Sequence, residues 1–270
     1  MAKSNENERA KYQEKIKNFA AVASALLKEE KDILLEARDE TAGSYMKKLT
    51  LVDEMLNLAS NYLAINGVSH VVLRNKNEEA LNDCRKSIYK AVIYLESIVT
   101  NSVDVPFSDY EDKLALIERF DANQRYYLVR KMGFTIDLLE QAYGDNSKWR
   151  WTFVEIEGRY AAVAKNILDL RNAITNKNPE SPYYESTVYH LRLIKKLLAQ
   201  AASRYRDKYE LSTGRIPDFR VGINFLGALR RIHVLLAESE DAEEVKKKLN
   251  IWTSKLEADT KKQEEARKRI

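Results

Sequence analysis

Turn-forming residues are scarce in this chain. It has 8 glycines and 4 prolines in 270 residues, whereas average usage of the two types is roughly 12%, more than double. A backbone with so few places to bend reads as long helices joined by short connections, and it leaves little room for a loop-built active site. Cys84 is the single cysteine, so no intramolecular disulfide can staple the fold. Its position on an apolar helix seam makes it a small core hydrophobe rather than a nucleophile.

Other absences narrow the chemistry. No Gly-x-Ser-x-Gly elbow and no glycine-rich phosphate loop occurs. The three histidines, His70, His190 and His233, are preceded three residues earlier by Gly67, Thr187 and Arg230, so the Glu-x-x-His pairs of a di-iron bundle are missing. One cysteine and three scattered histidines do not cluster for zinc. No catalytic residue, metal site or cofactor is therefore expected, and the chain does not read as an enzyme. No apolar run reaches the length of a membrane span. The N-terminus has no apolar core of a signal peptide, which makes the cytoplasm the default compartment. The periplasm is the alternative if this is a mature exported form with an added Met.

What is present fits a helical globular protein. Hydrophobic residues make up 44% and charged residues 32%, enough for a core under a wet surface. The net charge of +4 selects no partner by itself. Locally, residues 186–236 carry ten Lys or Arg against three Asp or Glu, and residues 109–123 carry five acids against two bases.

Apolar spacing marks the helices. Tyr12, Ile16, Phe19, Ala23, Leu26, Ile33 and Ala37 form one seam with Glu30 as its polar member, and Ala20, Leu27 and Leu34 widen it. Tyr45 to Leu63 form a second, expected to stop at Asn66-Gly67. Val68 to Asn77 then reads as a loop, and Asn77 as the cap of a third helix carrying Leu81, Cys84, Ile88, Ala91, Leu95 and Ile98. Ser108 and Glu111 are spaced as a capping box, and Asp121 and Gln124 as a second one ahead of a helix that ends at Gly144. A helix opened by Ser147 is expected to carry the longest seam: Trp149, Phe153, Ile156, Tyr160, Val163, Ile167, Leu170 and Ile174, over roughly 38 Å at 1.5 Å per residue. Ser181 with Pro182 should cap the next helix, Ser212 to Pro217 should break it, and Asp241 with Glu244 should cap the last. Beyond Glu257 the pattern fades into charge, so that end is expected to fray or wait for a partner. Gly133, Gly158, Gly222 and Gly227 fall inside helices, as sites of close packing or a bend.

The reading is an all-α fold of about eight mostly long antiparallel helices. They form one elongated bundle or two joined bundles, with residues 1–101 and 109–270 as the parts and 102–108 as a linker, unless the whole is one domain.

The remaining signal is an excess of tyrosine beside cations; Tyr supplies 15 of the aromatic residues, against 7 Phe and 3 Trp. Tyr126, Tyr127 and Arg130, then Tyr183 and Tyr184, then Tyr205, Arg206 and Tyr209, extended by Arg215, Arg220, Arg230 and Arg231, form a candidate partner-binding set. Protein interfaces favour Tyr and Arg. Basic grooves with stacking rings also bind nucleic acid, so the basic stretch 192–231 is the alternative, although Asp207, Glu210 and Asp218 interrupt it. The leading expectation is a non-enzymatic structural or scaffolding protein acting on protein partners or on copies of itself.

The aromatic-basic helix start Ser181-Pro182-Tyr183-Tyr184 and the long charged C-terminal helix are similar to the helical, coiling-type sheath subunits that coat spirochaete flagella. That resemblance implies a periplasmic, filament-coating structural role and transfers no particular residue.

Overall fold

A computed structural model describes residues 2–144 and 149–268. Among the described residues the regular structure is helical throughout, with ten α-helices and no strand. The chain divides into two compact units, one formed by Met1–Val99 with Asp112–Trp149, the other by Thr100–Glu111 with Arg150–Ile270. The division differs from a cut at 102–108. Residues 100–111 belong to the second unit, and the segment after them returns to the first.

The first unit holds α1 (Ala2–Glu36), α2 (Ala42–Leu73) and α3 (Glu78–Ile98), which α5 (Ala122–Tyr143) joins after the single-turn α4 (Glu111–Ala115). α2 lies at its centre, packed on α1, α3 and α5. α1 and α2 form an antiparallel hairpin: Lys47 pairs with Glu36 near the turn, and Asn61 donates to the Phe19 carbonyl further along. α2 starts anew after α1, because Thr41 caps it by accepting from the Ser44 amide. Glu30, the polar member of the first seam, is buried; Lys90 donates to it at 2.6 Å, and the Tyr94 hydroxyl donates to its other oxygen. Of the three residues that widen that seam, Ala20 and Leu34 are exposed and Leu27 is half-buried.

α2 continues through Asn66-Gly67 to Leu73 and ends at Arg74, which adopts the left-handed conformation. The cause is tertiary. Val68, Val72 and Leu73 pack with Ile65 and Ala80 against Tyr12, Ile16 and Phe19 of α1, and this burial outweighs one helical glycine, which costs about 1 kcal/mol. Asn66 serves the next turn by accepting from the Asn77 amide. Asn77 caps α3 through the Ala80 amide, and the expected seam from Leu81 to Ile98 is fully buried. The box at Asp121 and Gln124 forms as expected and starts α5, which stops at Gly144. The box at Ser108 and Glu111 does not form. Phe107–Asp109 is a 3-10 turn, and Ser108 donates to Asp109 instead.

The second unit comprises α6 (Arg150–Asn166), α7 (Leu170–Asn176), α8 (Tyr184–Lys208), α9 (Ile216–Leu235) and α10 (Ser239–Lys268). The expected start at Ser147 lies outside the described residues. The long seam is interrupted: α6 ends at Asn166, and Asp169 opens α7 by accepting from the Asn172 amide. Ile167 is fully buried, but Ile174, on the far side of the break, is 54% exposed.

α8 packs on α6 and α9, and α9 on α10. α8 starts at Tyr184 without a side-chain cap, while the Ser181 hydroxyl accepts from the Tyr183 amide and donates to Asn176. It ends in a π-turn over Tyr209–Thr213, closed by Gly214 in the left-handed region, and Pro217 sits in the first turn of α9. α10 begins at Ser239, ahead of the expected cap at Asp241. It stays helical past Glu257 because it is tied down: the Tyr209 hydroxyl donates to Asp259 at 2.9 Å, and Gln263 donates to the Gly214 carbonyl. Aromatic contacts help to fill this core, among them Tyr205 on Phe225, Tyr209 on Phe219, and Phe219 against Trp252.

Candidate functional site

The twelve aromatic and basic residues singled out in the sequence are divided between the two units, and two of them, Tyr205 and Tyr209, are buried. In the first unit, the cap at Asp121 sets the phase of α5, and that phase turns Arg125 inward. Its guanidinium donates to the carbonyls of Phe120 and Ile117, closing the turn before the helix. Tyr126 is half-buried with the Arg130 guanidinium 5.5 Å from its ring centre. Tyr127 is 63% exposed, and Phe134, two helical turns along the same face, is 64% exposed. Phe134 is absent from the sequence-based set because no other aromatic lies within six residues of it, so it forms no cluster. The i, i+7 spacing from Tyr127 is the signal that finds it.

In the second unit, Tyr183 and Tyr184 are half-buried at the start of α8. Tyr205 and Tyr209 are core residues, which removes them from any contact surface: they lie on the face of α8 and its π-turn that packs on α9. The cations are largely committed within the unit. Arg206 pairs with Glu210 and lies 5.4 Å over the Trp252 ring. Arg215 pairs with Asp218, and Arg231 with Asp104. Arg220 and Arg230 are exposed on α9.

Two polar clusters in the second unit escaped the sequence reading. The first forms where residues 100–111 lie against α6 and α9. Asn166 is fully buried and donates to the carbonyls of Thr100 and Ser102. Asp104 accepts from Arg231 at 2.8 Å and rests on Gly227, where an added Cβ would lie 2.6 Å from its carboxylate. The close approach expected at Gly227 therefore admits a loop carboxylate and not a helix. Lys165, only 3% exposed, donates to the Tyr110 hydroxyl at 3.4 Å. Burial pushes the lysine down to about 8, with Asp104 opposing the shift and Arg231 adding to it. Burial also pushes the Tyr110 phenol above its ordinary range. An amine so poised is a base or nucleophile in principle, but here it is sealed beneath the segment that carries Tyr110 and Asp104, and its contacts hold that segment down.

The second cluster lies at the α9–α10 turn. His233 Nδ1 is 2.7 Å from Glu238 Oε2 and 3.9 Å from Asp241 Oδ2. Lys195 of α8 donates to both Glu238 oxygens, at 2.7 and 3.0 Å. Burial alone would push the Glu238 carboxyl up; hydrogen bonds from Lys195 and His233 outweigh it and hold the group below the usual range. His233, Glu238 and Asp241 are the set among the described residues whose donor atoms converge closely enough for a metal ion. A search for Glu-x-x-His misses them because the carboxylates follow the histidine at +5 and +8, across a helix break.

Cys84 is fully buried in α3, and burial pushes its thiol up to about 12. That places it with the core and away from nucleophilic chemistry. No described helix is long and apolar enough to cross a membrane.

The fold defines an all-α protein of packed antiparallel helices that carries exposed aromatic residues on helix faces. Residues 8–260 match the TP0443 family, and the chain belongs to that family, whose name is a Treponema, hence spirochaete, one. No curated protein and no solved structure matches it significantly.

Proposed function

We propose that this chain is a non-enzymatic structural or scaffolding protein that works through its helix faces, as a subunit of a larger assembly. The observation that carries this reading is the pair Tyr127 and Phe134, both more than 60% exposed on one face of α5. Large aromatics at that exposure are what protein contacts bury, and Arg130 beside them adds a residue favoured at contact hot spots. The spirochaete family name and the likeness to flagellar sheath subunits favour a filament-coating assembly in the periplasm as the setting.

The basic stretch 192–231 supports nucleic acid binding less well. Of its ten cations, Lys195, Arg204, Arg206, Lys208, Arg215 and Arg231 are paired with carboxylates of the same unit. Cations neutralised in this way release fewer counterions from a phosphate backbone.

A photo-crosslinking side chain at position 127, in spirochaete cells carrying the full chain, tests the proposal. Discrete adducts with another protein or a second copy are expected, and Phe134→Ser should weaken them while helicity by circular dichroism is unchanged. Absence of any protein adduct, or adducts indifferent to Phe134→Ser, overturns this face as the contact.

A further inference from the structure

We propose that His233, Glu238 and Asp241 form a binding site for a divalent transition metal, with zinc as the best-fitting ion, which clasps the α9–α10 turn. The proposal is independent of the helix-face reading. One imidazole nitrogen and two carboxylate oxygens lie within 4.8 Å of one another. An ion bound at about 2.1 Å in tetrahedral geometry asks for donors about 3.4 Å apart. The 2.7 Å contact between His233 and Glu238 must therefore open by less than an ångström, and the 3.9 Å contact to Asp241 must close by about half of one.

The surroundings are those of a supported site. His233 is buried and already turns Nδ1 toward both carboxylates, so metal binding replaces the proton it shares with Glu238 Oε2. Lys195 holds Glu238 Oε1 at 2.7 Å and touches Oε2 at 3.0 Å, so Oε2 gives up the longer of these two contacts when it takes the metal. Hydrogen bonding of a ligand carboxylate from a neighbouring helix is the usual outer support of such centres. The chain reaches this arrangement through Ala237, which sits in the left-handed region at φ 58°, a conformation disfavoured for a non-glycine residue. That turn carries Glu238 and the start of α10 back over His233; the Glu238 amide donates to the His233 carbonyl.

The donor set decides the class of ion. Magnesium and calcium prefer all-oxygen shells, whereas an imidazole with carboxylates suits zinc and its first-row neighbours. Three protein donors leave a position for water. Asp241 is 61% exposed, so the ion enters from that side and the centre sits at the surface.

The test is calorimetric titration of the chelator-treated full chain with Zn²⁺, alongside Co²⁺ as a spectroscopic probe. One Zn²⁺ per chain with micromolar affinity is expected, together with the visible absorption of low-coordinate Co²⁺. Asp241→Asn should weaken Zn²⁺ at least about tenfold and abolish the Co²⁺ bands. Its melting temperature without metal should match wild type, because Asp241 is exposed and too far from His233 for a hydrogen bond. Glu238→Gln should also lose the metal, but it disturbs the Lys195 pair and so serves only as a second check. No uptake below millimolar Zn²⁺, or uptake that Asp241→Asn leaves unchanged, would overturn the site and leave an ion-paired clasp.

Discussion

The ring of Tyr205 lies against the bare Cα of Gly158, so close that a Cβ built on the glycine would be 2.6 Å from the ring edge. The ring cannot swing away freely, since it stacks on Phe225 with centroids 5.7 Å apart. Gly158 thus lets α6 and α8 approach, and Tyr205, which in sequence looks like part of an aromatic surface, is a wedge in the core.

Gly158→Ala is therefore expected to destabilise the protein by about 1–3 kcal/mol, the usual cost of overpacking. Gly67→Ala should do the opposite. Gly67 lies within α2, with nothing within 4 Å of an added Cβ, so the gain in helix propensity, about 0.5–1 kcal/mol, is unopposed. Urea melts of both variants against wild type check the pair. A Gly158→Ala protein as stable as wild type would show that the two helices relax apart.

How much of this was legible in the sequence depends on what each residue touches. Local rules placed Asn77, Asp121, Gly144 and Pro217 correctly, because a cap or a stop acts within one turn of chain. The seam of α3 was equally plain, every fourth or third residue being apolar and buried. Gly67 misled because its neighbours Val68, Val72 and Leu73 are held helical by Tyr12, more than fifty residues away. Tyr205 and Tyr209 misled for a related reason: their position beside Arg206 and Lys208 suggests a surface, yet successive residues on a helix face different ways. The cluster at His233 depends on a helix break and a left-handed alanine, neither of which local composition reveals. Phe134 is the one surface residue whose spacing from Tyr127 could have been read directly.

The break between α6 and α7 yields a paired prediction. Ile167 and Ile174 sit seven residues apart on what looks like a single seam, but the first is fully buried and the second is 54% exposed. Ile167→Asp buries a carboxylate among apolar side chains and should cost more than about 4 kcal/mol, enough to abolish soluble expression. Ile174→Asp should stay within about 0.5 kcal/mol of wild type. Expression yield and thermal melts by circular dichroism compare them; equal damage from both would mean the long seam is continuous after all.

The buried amine of Lys165 makes stability depend on pH in a defined direction. Its folded value, about 8, lies below the ordinary 10.5, so between those limits the unfolded chain binds the extra proton. Stability then rises with pH. The destabilising contribution is fully present below pH 8 and is relieved as pH rises from about 8 toward 10. Above about pH 10, Tyr110 works against the trend, because its phenol is raised by burial and the unfolded chain loses that proton first. Lys165→Met keeps the length of the side chain and removes the titration. Denaturant unfolding at pH 7, 8.5 and 9.5 should therefore show wild type gaining on Lys165→Met by about 2 kcal/mol across the interval, at 1.4 kcal/mol for each pH unit of differential protonation. The other lysines and tyrosines titrate in both proteins and cancel in the difference. A difference that stays flat over this range would mean that Lys165 keeps its charge when folded, with Asp104 acting as its counter-ion and residues 100–111 held to α6 by an ion pair instead of a neutral contact with Tyr110.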